Sequence, residues 1–82
     1  MKKDEIIITL SQKVTSEILK QPKKIIEPNE KMISSGLIDS FSLVDLALLV
    51  EDLYGIRIED TELNAQVFDT IEELSELILK RV

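Results

Sequence analysis

The sequence predicts an all-α fold: a small bundle of three main helices plus one short helix, with a long loop between the first and second helices. Three observations predict it. Gly and Pro are nearly absent, with two of each in 82 residues, too few turn formers for an architecture of many short strands. Apolar residues recur at helical spacing in three separate stretches rather than alternating. Each stretch is also bounded by capping or stop signals. A chain of this length is one domain, 1–82, able to bury roughly 60% of its unfolded surface. Aromatics make up only 4% against a hydrophobic share of 44%, so the core must be aliphatic.

The first helix is predicted over about Asp4 to Lys20. Ile7, Leu10, Val14 and Ile18 form one buried stripe, and Ile6 and Leu19 widen it. Asp4 suits the N-cap, Lys20 suits the negative end of the dipole, and Pro22 stops the helix. Residues 21–39 then form a connection long enough to suggest a functional role. Ile25, Ile26, Met32, Ile33, Leu37 and Ile38 are expected to pack it down.

The second helix is predicted over about Ser40 to Tyr54. Gly55 suits the left-handed position past its end, and Ile56 suits the apolar contact of a Schellman motif. Ile56 to Asp60 reads as an extended link, and Thr61 to Val67 as one or two helical turns. The last helix begins at a capping box, Thr70-Ile71-Glu72-Glu73, with Thr70 as N-cap. Ile71, Leu74 and Ile78 face the core, while Lys80 and Arg81 complement the dipole at the end.

Composition excludes much chemistry. Cys and His are both absent, which removes disulfides, Cys/His zinc sites and Ser-His or Cys-His nucleophile pairs. No side chain has an unperturbed pKa near neutrality, and so small a chain offers little depth in which to shift one. The chain therefore reads as a non-enzyme. The acidic stretch from Asp60 fails as a calcium loop, because Ala65 stands at its sixth position and Ile71 at its twelfth. No intrinsic metal is expected.

The longest apolar run, Leu46 to Val50, is far short of the ~20 residues of a membrane span. Lys2-Lys3-Asp4-Glu5 followed by Ile6-Ile7-Ile8 is too short a pattern for a signal peptide. The expectation is a cytoplasmic, monomeric protein. Its charge is unevenly placed: residues 1–35 carry net +2 and residues 36–82 net −8, giving −6 overall. The acidic half repels nucleic acid and anionic membrane and suits a basic protein partner.

On a helical wheel the second helix divides in two. Leu43, Leu46, Ala47, Val50, Leu53 and Tyr54 share the core side. Phe41, Asp45, Leu48 and Asp52 share the opposite stripe. Two carboxylates keep that stripe out of the core, so Phe41 and Leu48 are expected to be at least partly exposed. Apolar anchors in an acidic field suit transient docking. At the N-terminal end of the stripe lies Ser40, after the loop Ser34-Ser35-Gly36. Its hydroxyl is either a helix cap or an attachment point. No base is present to make it a nucleophile, but an anionic group attached there would meet free N–H groups and the positive end of the dipole.

The stretch Gly36-Leu37-Ile38-Asp39-Ser40-Phe41-Ser42-Leu43-Val44-Asp45-Leu46, followed by Glu51-Asp52-Leu53-Tyr54-Gly55-Ile56-Arg57-Ile58, resembles the acyl carrier protein family. The likeness extends through Phe68-Asp69-Thr70-Ile71, and the helix order agrees along the chain. It implies a carrier whose Ser40 receives 4′-phosphopantetheine from coenzyme A, delivered by a phosphopantetheinyl transferase. The arm brings the thiol that this chain lacks, and cargo rides on it as a thioester. Asp39 matches the residue that orients the transferase and Mg²⁺ during modification. Phe41, Asp45, Leu48, Glu51 and Asp52 match partner-recognition positions for ligases or synthases with basic docking surfaces.

Phe41 replaces the commoner Leu or Met of the family, Ser42 replaces a frequent Asp, and Leu53 stands where a third acid occurs. Asp-Ser-Phe is also found in D-alanyl carrier proteins. The resemblance therefore implies an acyl or aminoacyl cargo, for fatty-acid-like or specialised metabolite synthesis or for cell-wall modification. The rival reading is an unmodified helical adaptor that uses the same stripe, with Ser40 as a plain cap.

Overall fold

A computed structural model describes residues 2–82, which fold into three α-helices within 28 × 26 × 21 Å. Helix α1 spans Lys3–Lys13, α2 spans Ser40–Tyr54 and α3 spans Ile71–Arg81. No strand occurs among the described residues.

α1 starts two residues earlier than an N-cap at Asp4 predicts. Lys2 holds the N-cap position without a side-chain bond, and Asp4 lies inside the first turn with Glu5. The reason is tertiary: Lys3 joins the helix and its ammonium reaches Glu72 (3.3 Å) and Glu76 (2.9 Å) of α3. Of the predicted stripe Leu10 and Val14 are buried while Ile7 and Ile18 are half-buried; Ile6, expected at its margin, is buried, and Leu19 packs against the same core.

Past Lys13 the helix widens into a π turn, Val14–Ile18, which periodicity does not reveal. Three hydroxyl bonds account for it. Thr15 Oγ1 donates to the carbonyls of Ser11 (3.0 Å) and Gln12 (3.1 Å), and Ser16 Oγ donates to that of Gln12 (2.8 Å). These bonds compete for the acceptors of the regular ladder, and the Leu19 N–H instead reaches Val14 O at 2.9 Å. Lys20 then turns the chain with φ of 57°, the left-handed region that a non-glycine residue enters at a cost.

The loop over residues 21–39 packs down through Ile26, Met32 and Ile38, each under 5% exposed, with Ile33 and Leu37 half-buried. Ile25 does not follow the expectation and stands 80% exposed. The loop is tied to the end of the chain by Asp69. Its carbonyl accepts the Met32 N–H (2.7 Å), and Oδ1 accepts those of Ile33 (2.7 Å) and Ser34 (2.9 Å). Oδ2 accepts the Ser34 hydroxyl. Glu72 N–H adds a bond to Pro28 O at 3.0 Å.

α2 has the predicted bounds. It ends on Gly55 at φ 69°, whose N–H bonds to Glu51 O at 2.8 Å. That single bond is the simple left-handed cap rather than the two-bond Schellman end, although Ile56 is buried as expected. Leu43, Leu46 and Val50 are buried, while Ala47, Leu53 and Tyr54 are only half-buried. Leu46 is fully enclosed, so Leu46→Ala is expected to lower unfolding free energy by roughly 2–5 kcal/mol in urea titration.

The short helix over Thr61 to Val67 reduces to a 3₁₀ turn, Asp60–Glu62. Asn64 then opens a separate turn: its side-chain oxygen accepts the N–H groups of Gln66 (3.0 Å) and Val67 (3.1 Å), and its carbonyl accepts those of Val67 (3.1 Å) and Phe68 (3.2 Å). α3 starts at Thr70, whose Oγ1 accepts the Glu73 N–H at 3.0 Å. The predicted box closes one residue early, since the Glu73 carboxylate accepts the N–H of Asp69 (2.8 Å) rather than that of Thr70. Ile71, Leu74 and Ile78 face the core. Arg81 does more than complement the dipole: its guanidinium clamps the Glu62 carboxylate and donates to Arg57 O at 3.1 Å.

Candidate functional site

At the start of α2 the cap is Asp39, not Ser40. Asp39 is extended (φ −85°, ψ 176°), and its Oδ1 accepts the Ser42 N–H at 2.8 Å. Its carbonyl takes the first helical bond, from Leu43 N–H at 3.0 Å. The Ser42 N–H, together with the Ser42 hydroxyl, holds the Asp39 carboxyl below its ordinary value, so the group is an anion at neutral pH. Ser40 is the first helical residue and lies exposed. With Asp39 serving as cap, the Ser40 hydroxyl makes no hydrogen bond among the described residues. It stands free at the positive end of a fifteen-residue helix.

The exposed face of α2 continues from this hydroxyl. Phe41 is 83% and Leu48 57% exposed, and Asp45 and Asp52 flank them in solvent. Glu51 is exposed beside this stripe. Val44, 50% exposed, fills the gap between Phe41 and Leu48; the wheel assigned it to neither face. Beside this face runs a shallow groove of about 140 Å³, walled by Val44, Ala47, Leu48, Ile58 and Leu63, with Glu51, Arg57 and Asp60 at its rim.

A model of the phosphopantetheine attachment site family matches residues 12–78, and the match spans the loop, the free hydroxyl and all of α2. The chain belongs to the acyl carrier protein family. It is 30% identical over 79 residues to the D-alanyl carrier protein of Bacillus subtilis (strain 168), covering 92% of this chain and 95% of that relative. Family membership makes 4′-phosphopantetheine the covalent cofactor of this carrier. Members carry cargo rather than transform it, which accords with the absence of Cys and His. No helix among the described residues is long and apolar enough to cross a membrane.

All seven residues singled out from the sequence lie on one continuous, exposed surface: Asp39, Ser40, Phe41, Asp45, Leu48, Glu51 and Asp52. Sequence reasoning missed Asp69. It is buried at 5% exposure, and burial pushes its carboxyl up. The Ser34 hydroxyl, the N–H groups of Ser34 and Ile33 and the nearby Lys31 outweigh that effect and hold it below its ordinary value. Asp69 thereby fixes the loop that leads to Asp39 and Ser40. The one signal available was its place within Phe68-Asp69-Thr70, immediately before a helix cap.

Proposed function

We propose that this protein is modified on Ser40 and works in the cytoplasm as a carrier that moves a small aminoacyl group, such as D-alanyl, between partner enzymes. The observation that carries the reading is the free, exposed Ser40 hydroxyl on the first residue of α2, with the cap already supplied by Asp39. A phosphodiester there needs no local bond to be broken, and its negative charge is favoured by the helix N-terminus.

Modification forms a bond from Ser40 Oγ to the pantetheine-side phosphorus of coenzyme A, and the nucleotide half leaves with the displaced phosphate. The hydroxyl proton goes to a base of the transferase, since none stands beside Ser40 here. Asp39 keeps one carboxylate oxygen on the Ser42 N–H, and its carboxylate would help to orient the transferase and its Mg²⁺. Once in place, the arm supplies a terminal thiol for thioester linkage. The D-alanyl relative and the Asp39-Ser40-Phe41 sequence favour an aminoacyl cargo.

The test is incubation with coenzyme A, Mg²⁺ and a broad-specificity phosphopantetheinyl transferase, followed by intact mass and fragment mapping. The expected result is one phosphopantetheine group per chain, located on Ser40. An unchanged mass would leave only the adaptor reading. Loading the modified protein with a D-alanine-activating ligase, ATP and D-alanine then tests the cargo.

Phe41, Val44 and Leu48 supply the apolar anchors for those enzymes, and Asp45, Glu51 and Asp52 supply the charge. Asp45→Lys and Asp52→Lys are each expected to weaken binding to a basic partner by roughly two- to tenfold at low salt, the effect shrinking as salt rises. Unchanged affinity in both variants, with folding intact, would reduce the stripe to a solvated face.

A further inference from the structure

A second concavity lies away from Ser40 in sequence and has the opposite charge. It is an open groove of about 410 Å³ between the widened end of α1 and the first part of the loop. Gln12, Thr15 and Ser16 form one wall, and Lys23, Lys24 and Ile25 form the other. The π turn is part of this wall, and such turns recur at functional sites. Lys20, in the left-handed conformation that ends the helix, connects the two walls, and the Gln21 N–H after it bonds to Thr15 O at 2.7 Å.

Charge and exposure agree on what would fill it. Lys20, Lys23 and Lys24 fall within five residues, and no acidic residue lies between Glu17 and Glu27. None of the three lysines forms an ion pair among the described residues. Ile25 stands 80% exposed next to Lys24 on the same wall, although Ile26 beside it is buried. An apolar side chain held in solvent among unpaired cations offers one contact of each kind to an incoming chain.

We infer that this groove docks an acidic peptide segment of a partner protein, at a site separate from the α2 face. A lipid or nucleic-acid surface is disfavoured by the rest of the molecule. Three lysines near an anionic bilayer gain about 1 kcal/mol each. A flat anionic surface would also face the net −8 of residues 36–82, on a body only 28 Å in its longest extent. A narrow segment lying in the groove meets the lysines and avoids most of that repulsion. The carrier would then present two docking sites of opposite charge, one for a basic partner and one for an acidic one.

The experiment titrates the full isotope-labelled chain, in modified and unmodified forms, with a short glutamate-rich peptide carrying a central leucine, and follows amide shifts by NMR. Shifts should concentrate at residues 11–16 and 20–26 in both forms and weaken with salt. The triple variant Lys20→Glu, Lys23→Glu, Lys24→Glu reverses three unpaired charges, two exposed and one half-buried, and should raise Kd at least about tenfold with the thermal unfolding midpoint checked alongside. Ile25→Ser should weaken binding with no change in the salt dependence. Shifts centred on α2, an unaffected triple variant, or equal binding to anionic phosphatidylglycerol vesicles in flotation would each overturn the inference.

Discussion

Ser40→Ala is expected to abolish phosphopantetheine attachment completely while leaving the stability of the protein nearly unchanged. The two halves of that outcome separate the roles that a serine at a helix start can have. If Ser40 were the cap, its loss would expose an orphan N–H and cost about 1 kcal/mol. Here the Ser42 N–H is already held by Asp39 at 2.8 Å, and alanine is the best residue for an interior helical position. Asp39→Ala should show the reverse division: it removes the cap and lowers Tm, and it slows modification rather than preventing it. Intact mass spectrometry after transferase treatment reads the first effect, and thermal unfolding monitored by circular dichroism reads the second. A mass gain that survives Ser40→Ala would move the attachment point elsewhere on the chain.

The features legible in the sequence were those with local causes. The bounds of α2 follow from the polar junction before Phe41 and from Gly55 after it, both signals that act within one turn, although the residue that caps is Asp39 and not Ser40. The core face of α3 follows from Ile71, Leu74 and Ile78, because a small domain has only one side on which to bury such a stripe. The exposed face of α2 was readable because Asp45 and Asp52 bar Phe41 and Leu48 from the core. What was not legible depends on distant partners or on competition for backbone acceptors. Lys3 extends α1 because Glu72 and Glu76 wait about seventy residues away in sequence. The π turn arises from Thr15 and Ser16 bonding backwards, which spacing of apolar residues does not report. The stretch after Asp60 divides into a 3₁₀ turn and a separate turn opened by Asn64, whose side chain and carbonyl take the N–H groups of Gln66, Val67 and Phe68. Ile25 was expected inside and lies outside, while its neighbour Ile26 is buried.

Asp69 is where the fold and the site depend on a single side chain, and its variants should show the largest loss of stability among the polar residues. Asp69→Ala strands the N–H groups of Ile33 and Ser34 and the Ser34 hydroxyl, and should cost about 3 kcal/mol. Asp69→Asn keeps an amide oxygen for the two N–H groups and an amide donor for Ser34, so it should cost less. The two also differ in their response to acid. The Asp69 carboxyl is lowered from 3.8 in the folded chain, so the unfolded chain takes up a proton first as pH falls. Its contribution is therefore complete above the ordinary carboxylate value and is lost as pH falls through the folded one. The stability gap between wild type and Asp69→Asn should accordingly close as pH drops from about 5 toward 2. Glu62 titrates in the same direction, lowered from 4.5 to about 2 chiefly by the Arg81 guanidinium. Because that pair is intact in both proteins, it cancels from the difference. Urea titrations at a series of pH values provide the measurement, and a gap that stayed constant into acid would mean that Asp69 holds the loop without its charge. Modification offers an independent readout: a loosened loop should slow transferase action on Ser40 in Asp69→Ala even where the protein is still folded, because Asp39 and Ser40 are presented by the segment that Asp69 ties down.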